Sequence, residues 1–294
     1  MSKKNRPRDK RSKDNLPSFR LTERDTEIIK AINDCQALLT QQVQTAFFNS
    51  ATPTYTRLQK LYHHHYLERH FITQVSAAPA ASIIIYTIAQ LGAAVLAANF
   101  GYSTGDFNFA TKQVLDWKTL QHLIDHNTFR IAVLRACRDT PIITLTDWLN
   151  ERYFRADPDY VHVTPARGNP QNKPLFPDGF MILTSPHGKA NFFVETDRGT
   201  EPLSQVKSQI EIYQEYLTSG RYQQKFQSRA VRVLMITNSQ TRINNIKKVI
   251  SQCGGGSRYW LTNRDQITPE TVLSAPIWEV VGKRELQPLI PPIQ

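Results

Sequence analysis

Cysteine is scarce in this chain. Cys35, Cys137 and Cys253 are the only three, and no two stand at C-x-x-C spacing. Neither a zinc ribbon nor a disulfide framework is expected, and the usage suits a reducing compartment. Long apolar runs are missing as well. The longest, residues 83–100, is interrupted by Tyr86, Thr87, Gln90, Gly92 and Asn99. It is too polar and too short to span a membrane. The first residues are basic with no apolar stretch behind them, unlike a signal peptide. A soluble cytoplasmic protein is expected. Metal-ligand spacing is absent around the one histidine run. His63, His64 and His65 would project about 100° apart on a helix and cannot converge on one ion.

What is present is positive charge. Lysine and arginine number 36 against 25 acidic residues, giving a net charge of +11 and a pI near 9.6. A polyanion is the natural partner of such a chain. Its 294 residues favour two domains, and 40% hydrophobic content can fill their cores. Seven cations (Lys3, Lys4, Arg6, Arg8, Lys10, Arg11 and Lys13) fall within residues 1–17, opposed only by Asp9 and Asp14. With little to bury, this stretch reads as a disordered basic tail. Each of its phosphate contacts would add affinity without sequence preference. A solubilising tail is the plainer alternative.

Residues 18–100 read as a winged helix-turn-helix. Thr22 and Asp25 have capping-box spacing ahead of Ile28, Ile29, Ile32 and Cys35, which recur at helical spacing. A second helix is expected from Thr40. A third opens at Thr52-Pro53, an N-cap followed by proline at the first helical position. Leu58, Leu61, Tyr62 and His65 form its expected core stripe. That leaves Thr54, Thr56, Arg57, Lys60 and His64 toward solvent, a set suited to the major groove. Strands at 66–73 and 82–87, joined by a small-residue loop at 74–81, would be the wing, and a helix at 89–99 follows. A helical protein-interaction domain is the alternative. Residues 101–121 read as a connector. A helix at 120–138 is apolar on more than one side, which suits packing between domains or a homodimer.

Residues 122–294 read as an α/β domain. Thr146 is placed as the cap of a short helix at 147–153. Strands are expected near 160–164, 180–183, 192–196, 231–237 and 258–262, with helices at 203–218 and 241–252. The run VRVLMIT has the composition of a strand covered on both faces. Within 177–216, Asp178 opens one strand while Glu195 and Asp197 close the next. Carboxylates at strand mouths can hold a divalent ion over a phosphodiester, and they can equally well just end strands.

The αβββαβ order, with Pro177-Asp178 before one strand and Glu195 ending the next, resembles the restriction-endonuclease-like PD-(D/E)xK superfamily. A winged helix followed by PDGFMIL, FFVETDRGTE, IEIYQEY and RVLMITNSQTR resembles, more narrowly, the replication-relaxation family of plasmid and mobile-element proteins, over about residues 20–280. The resemblance implies a Mg²⁺ site on Asp178 and Glu195, with Asp197 as a further acid, and a lysine beside it. The superfamily's lysine position holds Asp197. The family's basic position in the following helix holds Gln209, and Lys207 lies two residues earlier, about 200° round the helix.

The function expected is therefore a DNA-binding protein of a plasmid or mobile element. It would act in replication or in relaxation and mobilisation on double-stranded DNA, beside a relaxase or replication initiator. The alternatives are a Mg²⁺-dependent endonuclease or nickase using Asp178, Glu195 and Lys207, and a transcriptional regulator.

Overall fold

The structure, a computed structural model, describes residues 11, 16, 18–73, 82–111, 115–164 and 169–292. The chain forms two compact units, residues 1–128 and 129–294. Helices and mixed sheet make it α/β overall.

The first unit runs α1 (Glu23–Asp34), β1 (Leu38–Leu39), α2 (Thr40–Phe47), α3 (Ala51–His63), β2 (Leu67–Thr73), β3 (Ser82–Ile88) and α4 (Gln90–Phe100). The expected capping box forms. Thr22 accepts from the Asp25 backbone, and Asp25 accepts from the Thr22 backbone at 2.6 Å. It sets the phase that buries Ile28, Ile29 and Ile32 completely. Each such side chain is worth roughly 1.5–3 kcal/mol of burial. The three-stranded sheet has order β1-β3-β2, antiparallel, with His70 opposite Ile85. The 74–81 loop lies outside the described residues. A Cβ on Gly92 would stand 2.3 Å from the Tyr66 carbonyl oxygen, so only glycine lets α4 settle there.

The expected connector is not slack. The Asn33 amide donates to the Asp106 carbonyl at 2.9 Å, and Asn108 returns two hydrogen bonds to Asn33. The next helix, α5 (Trp117–Asp139), passes from the first unit into the second. In the first unit its Asn127 amide donates to the carbonyls of Cys35 and Ala37, both at 2.9 Å. In the second, Phe129, Ala132, Val133, Ala136 and Cys137 join the core.

The second unit continues with β4 (Thr144–Asn150), α6 (Glu151–Ala156), β5 (Asp159–Val163), β6 (Gln171–Leu175), β7 (Gly179–Ser185), β8 (Gly188–Thr196), α7 (Leu203–Thr218), α8 (Arg221–Phe226), β9 (Arg232–Thr237), α9 (Gln240–Gln252), β10 (Tyr259–Asn263) and β11 (Glu279–Val280). Six strands form one sheet in the order β11-β10-β9-β8-β7-β4, with β8-β9-β10 parallel. Helices α7 and α9 cover one face through Val206, Ile210, Tyr213, Ile243 and Ile246. The end of α5 and residues 267–290 cover the other. Strand β9 is buried on both faces, as its composition predicts.

The helix expected at 147–153 is a correction. Those residues begin as β4, which pairs with β7, and the helix starts only after Asn150 caps it. A register shift between Leu145 and Asp147 breaks the period-two pattern that would have marked a strand. Strand β6 carries no strand signal of its own, because its sequence, QNKPL, is polar and holds a proline.

Candidate functional site

Helix α3 presents a different face from the one its sequence suggests. Thr54 is buried completely, with its hydroxyl donating to the Ser50 carbonyl at 2.8 Å. It belongs to the core stripe with Leu58 and Leu61. The helix ends at His63, which is buried, while His65 takes φ +61° in the closing turn and is exposed. The exposed row is Thr52, Tyr55, Thr56 and Gln59, with Lys60 half-buried beside it. Tyr55 and Gln59 carry no charge, so nothing in the sequence singles them out, and Thr52 reads there as the N-cap, a place Ser50 takes because α3 begins one residue earlier, at Ala51. An i, i+3, i+4, i+7 count from Thr52, opposite the observed core stripe, would have found them.

Arg57 also needs correction. Its guanidinium grips both oxygens of Asp25, whose side chain is fully buried, and donates to the Arg20 carbonyl at 2.8 Å. It also lies 4.7 Å from the centre of the Phe19 ring. Burial raises the Asp25 carboxyl, but the bonds from Arg57 and Thr22 outweigh it and hold the group below its ordinary value. Arg57 therefore ties α3 to α1. His64 is half-buried and stacks on Phe19 at 4.7 Å.

Lys3, Lys4, Arg6 and Arg8 lie outside the described residues. Arg11 is described. It donates to the carbonyls of Tyr62 at 3.1 Å and Leu67 at 2.8 Å, and pairs with Glu68 at 3.0 Å. The foot of the basic stretch is thus pinned at the C-terminal end of α3.

The three candidate acids, Asp178, Glu195 and Asp197, are bonded to different partners, with Asp178 close enough to Glu195 to act on its charge. Glu195 is buried on the α7 face of β8, the face it shares with Phe193. One of its oxygens accepts from the Tyr213 hydroxyl and the other from the Gln209 amide at 2.8 Å. Desolvation, reinforced by nearby Asp178, pushes this carboxyl well above its ordinary value. Asp178 accepts from the Thr196 backbone N–H at 2.7 Å, which ties β7's start to β8's end. Asp197 accepts both prongs of Arg242, at 2.6 and 3.0 Å, and also bonds Thr237 and the Gly199 N–H. Lys207 is exposed and pairs with Glu211 at 3.7 Å.

Each of these carboxylates is engaged by protein donors. Both oxygens of Glu195 and both of Asp197 already take protein donors. Among the described residues no group of three or more His, Cys, Asp or Glu is placed to hold a metal ion. Gln209 serves Glu195 as a neutral donor.

A family model described as replication-relaxation matches residues 29–229. The chain belongs to the replication-relaxation family. Comparison with curated proteins and with solved structures finds no match. In this replication-relaxation protein the matched region includes α3, Asp178 with the strand β7 that follows it, β8 with Glu195, and helix α7. It stops short of β9 and α9, so Arg242, the partner of Asp197, lies beyond it. No described helix is long and apolar enough to cross a membrane.

Proposed function

We propose that this protein binds duplex DNA of a plasmid or other mobile element in the cytoplasm and serves its replication or relaxation and mobilisation. The first unit acts as a winged helix, with α3 as the helix entering the major groove. The observation that carries this is the exposed row Thr52, Tyr55, Thr56 and Gln59 along α3, directly opposite its buried stripe. Hydroxyls and an amide along the exposed side of a helix match base edges, and glutamine can address adenine with two hydrogen bonds. The net charge of +11 supplies the attraction to phosphate, and the cations that precede Arg11 add their own phosphate contacts. The second unit is a nuclease-like scaffold, and the engaged state of its acids favours a role in docking over cleavage. A relaxase or replication initiator is the protein partner such a role calls for.

Affinity for a random-sequence duplex, measured by fluorescence anisotropy over a salt series, tests the tail. Replacing Lys3, Lys4, Arg6 and Arg8 with glutamine should flatten the slope of log affinity against log salt by about 3–4, at roughly 0.9 for each phosphate no longer neutralised. An unchanged slope would remove the tail from the interface.

A further inference from the structure

No aspartate or glutamate occurs from Tyr216 to Arg264, while nine lysines and arginines do. Several of the nine are used inside the second unit. Lys225 pairs with Asp157 and Asp159, Arg242 with Asp197 and Lys247 with Glu279, and Arg232 lies over the Trp260 ring at 4.5 Å. Arg229 and Arg258 are among those left exposed. The sheet gathers them with cations from elsewhere in the chain. Phe192 of β8 pairs with Arg232 of β9, and Val233 of β9 with Tyr259 of β10. Lys189 at the start of β8, Arg229 just ahead of β9 and Arg258 just ahead of β10 therefore stand at one end of three neighbouring parallel strands. Strand β11 runs antiparallel to β10, so the turn after it, with Lys283 and Arg284, closes at the same end. All five cations are exposed, and among the described residues none of them has an ion-pair partner.

We infer that this end of the sheet is a second contact for duplex DNA, with the phosphate backbone lying across the starts of β8, β9 and β10. The inference rests on the DNA-binding reading above and gives the second unit its part in it. Neighbouring strands lie about 4.8 Å apart, so the row from β8 to β11 is roughly 14 Å long. One DNA strand presents about four phosphates over that length, at about 3.4 Å of rise each. The row offers a matching charge. Lys189, Arg229 and Arg258 give one each, and the last turn adds one net charge because Glu285 sits beside Lys283 and Arg284. Other acids at this end are engaged or partly covered. Asp139 is bound by Arg135 at 2.7 Å, and Glu215 is half-buried in the last turn of α7. Asp178, Glu195 and Asp197 lie at the opposite end of the same strands. Along β8, Lys189 and Glu195 are about 20 Å apart at about 3.3 Å per residue, roughly two Debye lengths at physiological salt. Their charge does not cancel the row. Beside it, a groove of about 520 Å³ is lined by Gly220, Gln223, Gln224, Gln227, Ser228 and Arg229. Its amides and hydroxyl can donate to phosphate and sugar oxygens without reading sequence.

Anisotropy of the full chain on a long random-sequence duplex, over a salt series, tests this row. The Lys189→Gln, Arg258→Gln double variant should melt as wild type does and flatten the slope of log affinity against log salt by about 1.8, at roughly 0.9 per lost phosphate contact. The comparison is Lys118→Gln with Lys248→Gln, which removes two exposed cations away from this end and should leave the slope within about 0.5 of wild type. If the first pair melts early, Lys283→Gln with Arg284→Gln replaces it, with the same flattening expected. A wild-type chain that does not bind the duplex even at low salt defeats the DNA-binding reading and this inference together. A wild-type chain that binds, with a slope the row variants leave unchanged, overturns the inference alone. So does equal flattening by the row pair and the comparison pair.

Discussion

Arg57→Ala should cost the protein about 3–5 kcal/mol of stability, the range for removing one partner of a buried ion pair. The Asp25 side chain is fully buried, and without Arg57 its charge has only Thr22 for compensation. Whole domains are stable by only about 5–15 kcal/mol. This one substitution therefore threatens the folding of the first unit. The pH dependence has a definite sign. Asp25 is held below its ordinary value in the folded chain, so its contribution is complete above about pH 4, its unfolded range. It is lost as pH falls through the folded value. Urea unfolding followed by circular dichroism, at pH 7 and in an acid series, measures both effects. A loss below about 1 kcal/mol at pH 7 would show that Arg57 is dispensable to the fold. Any loss of DNA binding in Arg57→Ala means little until this is known.

The second large effect concerns Glu195. Its carboxyl is raised by burial and by Asp178, so the folded state prefers it protonated. The stability it permits is greatest below the unfolded value, near pH 4.3. That stability declines as pH rises through the raised folded value, leaving a full penalty above it. Glu195→Gln keeps an acceptor for Tyr213 or Gln209 and cannot ionise. It should be more stable than wild type at neutral and alkaline pH, with the difference vanishing toward pH 4. Each unit of raised pKa is worth about 1.4 kcal/mol, which sets the scale of the gain. Tyr213→Phe should do the reverse, losing roughly 1–3 kcal/mol at high pH because a buried charged oxygen loses its donor. Melting curves across pH 4–9, with and without millimolar Mg²⁺, decide the matter. A Glu195→Gln chain less stable than wild type at every pH would contradict it. So would a Mg²⁺-dependent rise in melting temperature that disappears in the variant.

Much of the fold is legible in the sequence because its signals are local. The Thr22–Asp25 cap, the helical spacing of Ile28, Ile29 and Ile32, and the uniformly apolar β9 each declare themselves within a few residues. The family is equally legible, through phrases such as FFVETDRGTE. The errors arise where a distant partner decides. Arg57 looks like a major-groove contact until Asp25, thirty-two positions away, claims it. Asp197 looks like a metal ligand until Arg242 arrives from α9. Thr54 looks exposed because the expected stripe runs on to His65, past the end of the helix. Strand β4 is hidden by an irregular register.

The central claim is that α3 meets DNA through Thr56 and Gln59. The most direct test is duplex binding by the Thr56→Glu, Gln59→Glu double variant, read by anisotropy alongside a melting curve. Both positions are exposed, so melting should not change. Two carboxylates set against phosphate should weaken binding at least about 30-fold, or roughly 2 kcal/mol. Binding within twofold of wild type, in a variant that melts normally, would contradict the claim and place the DNA interface elsewhere on the protein.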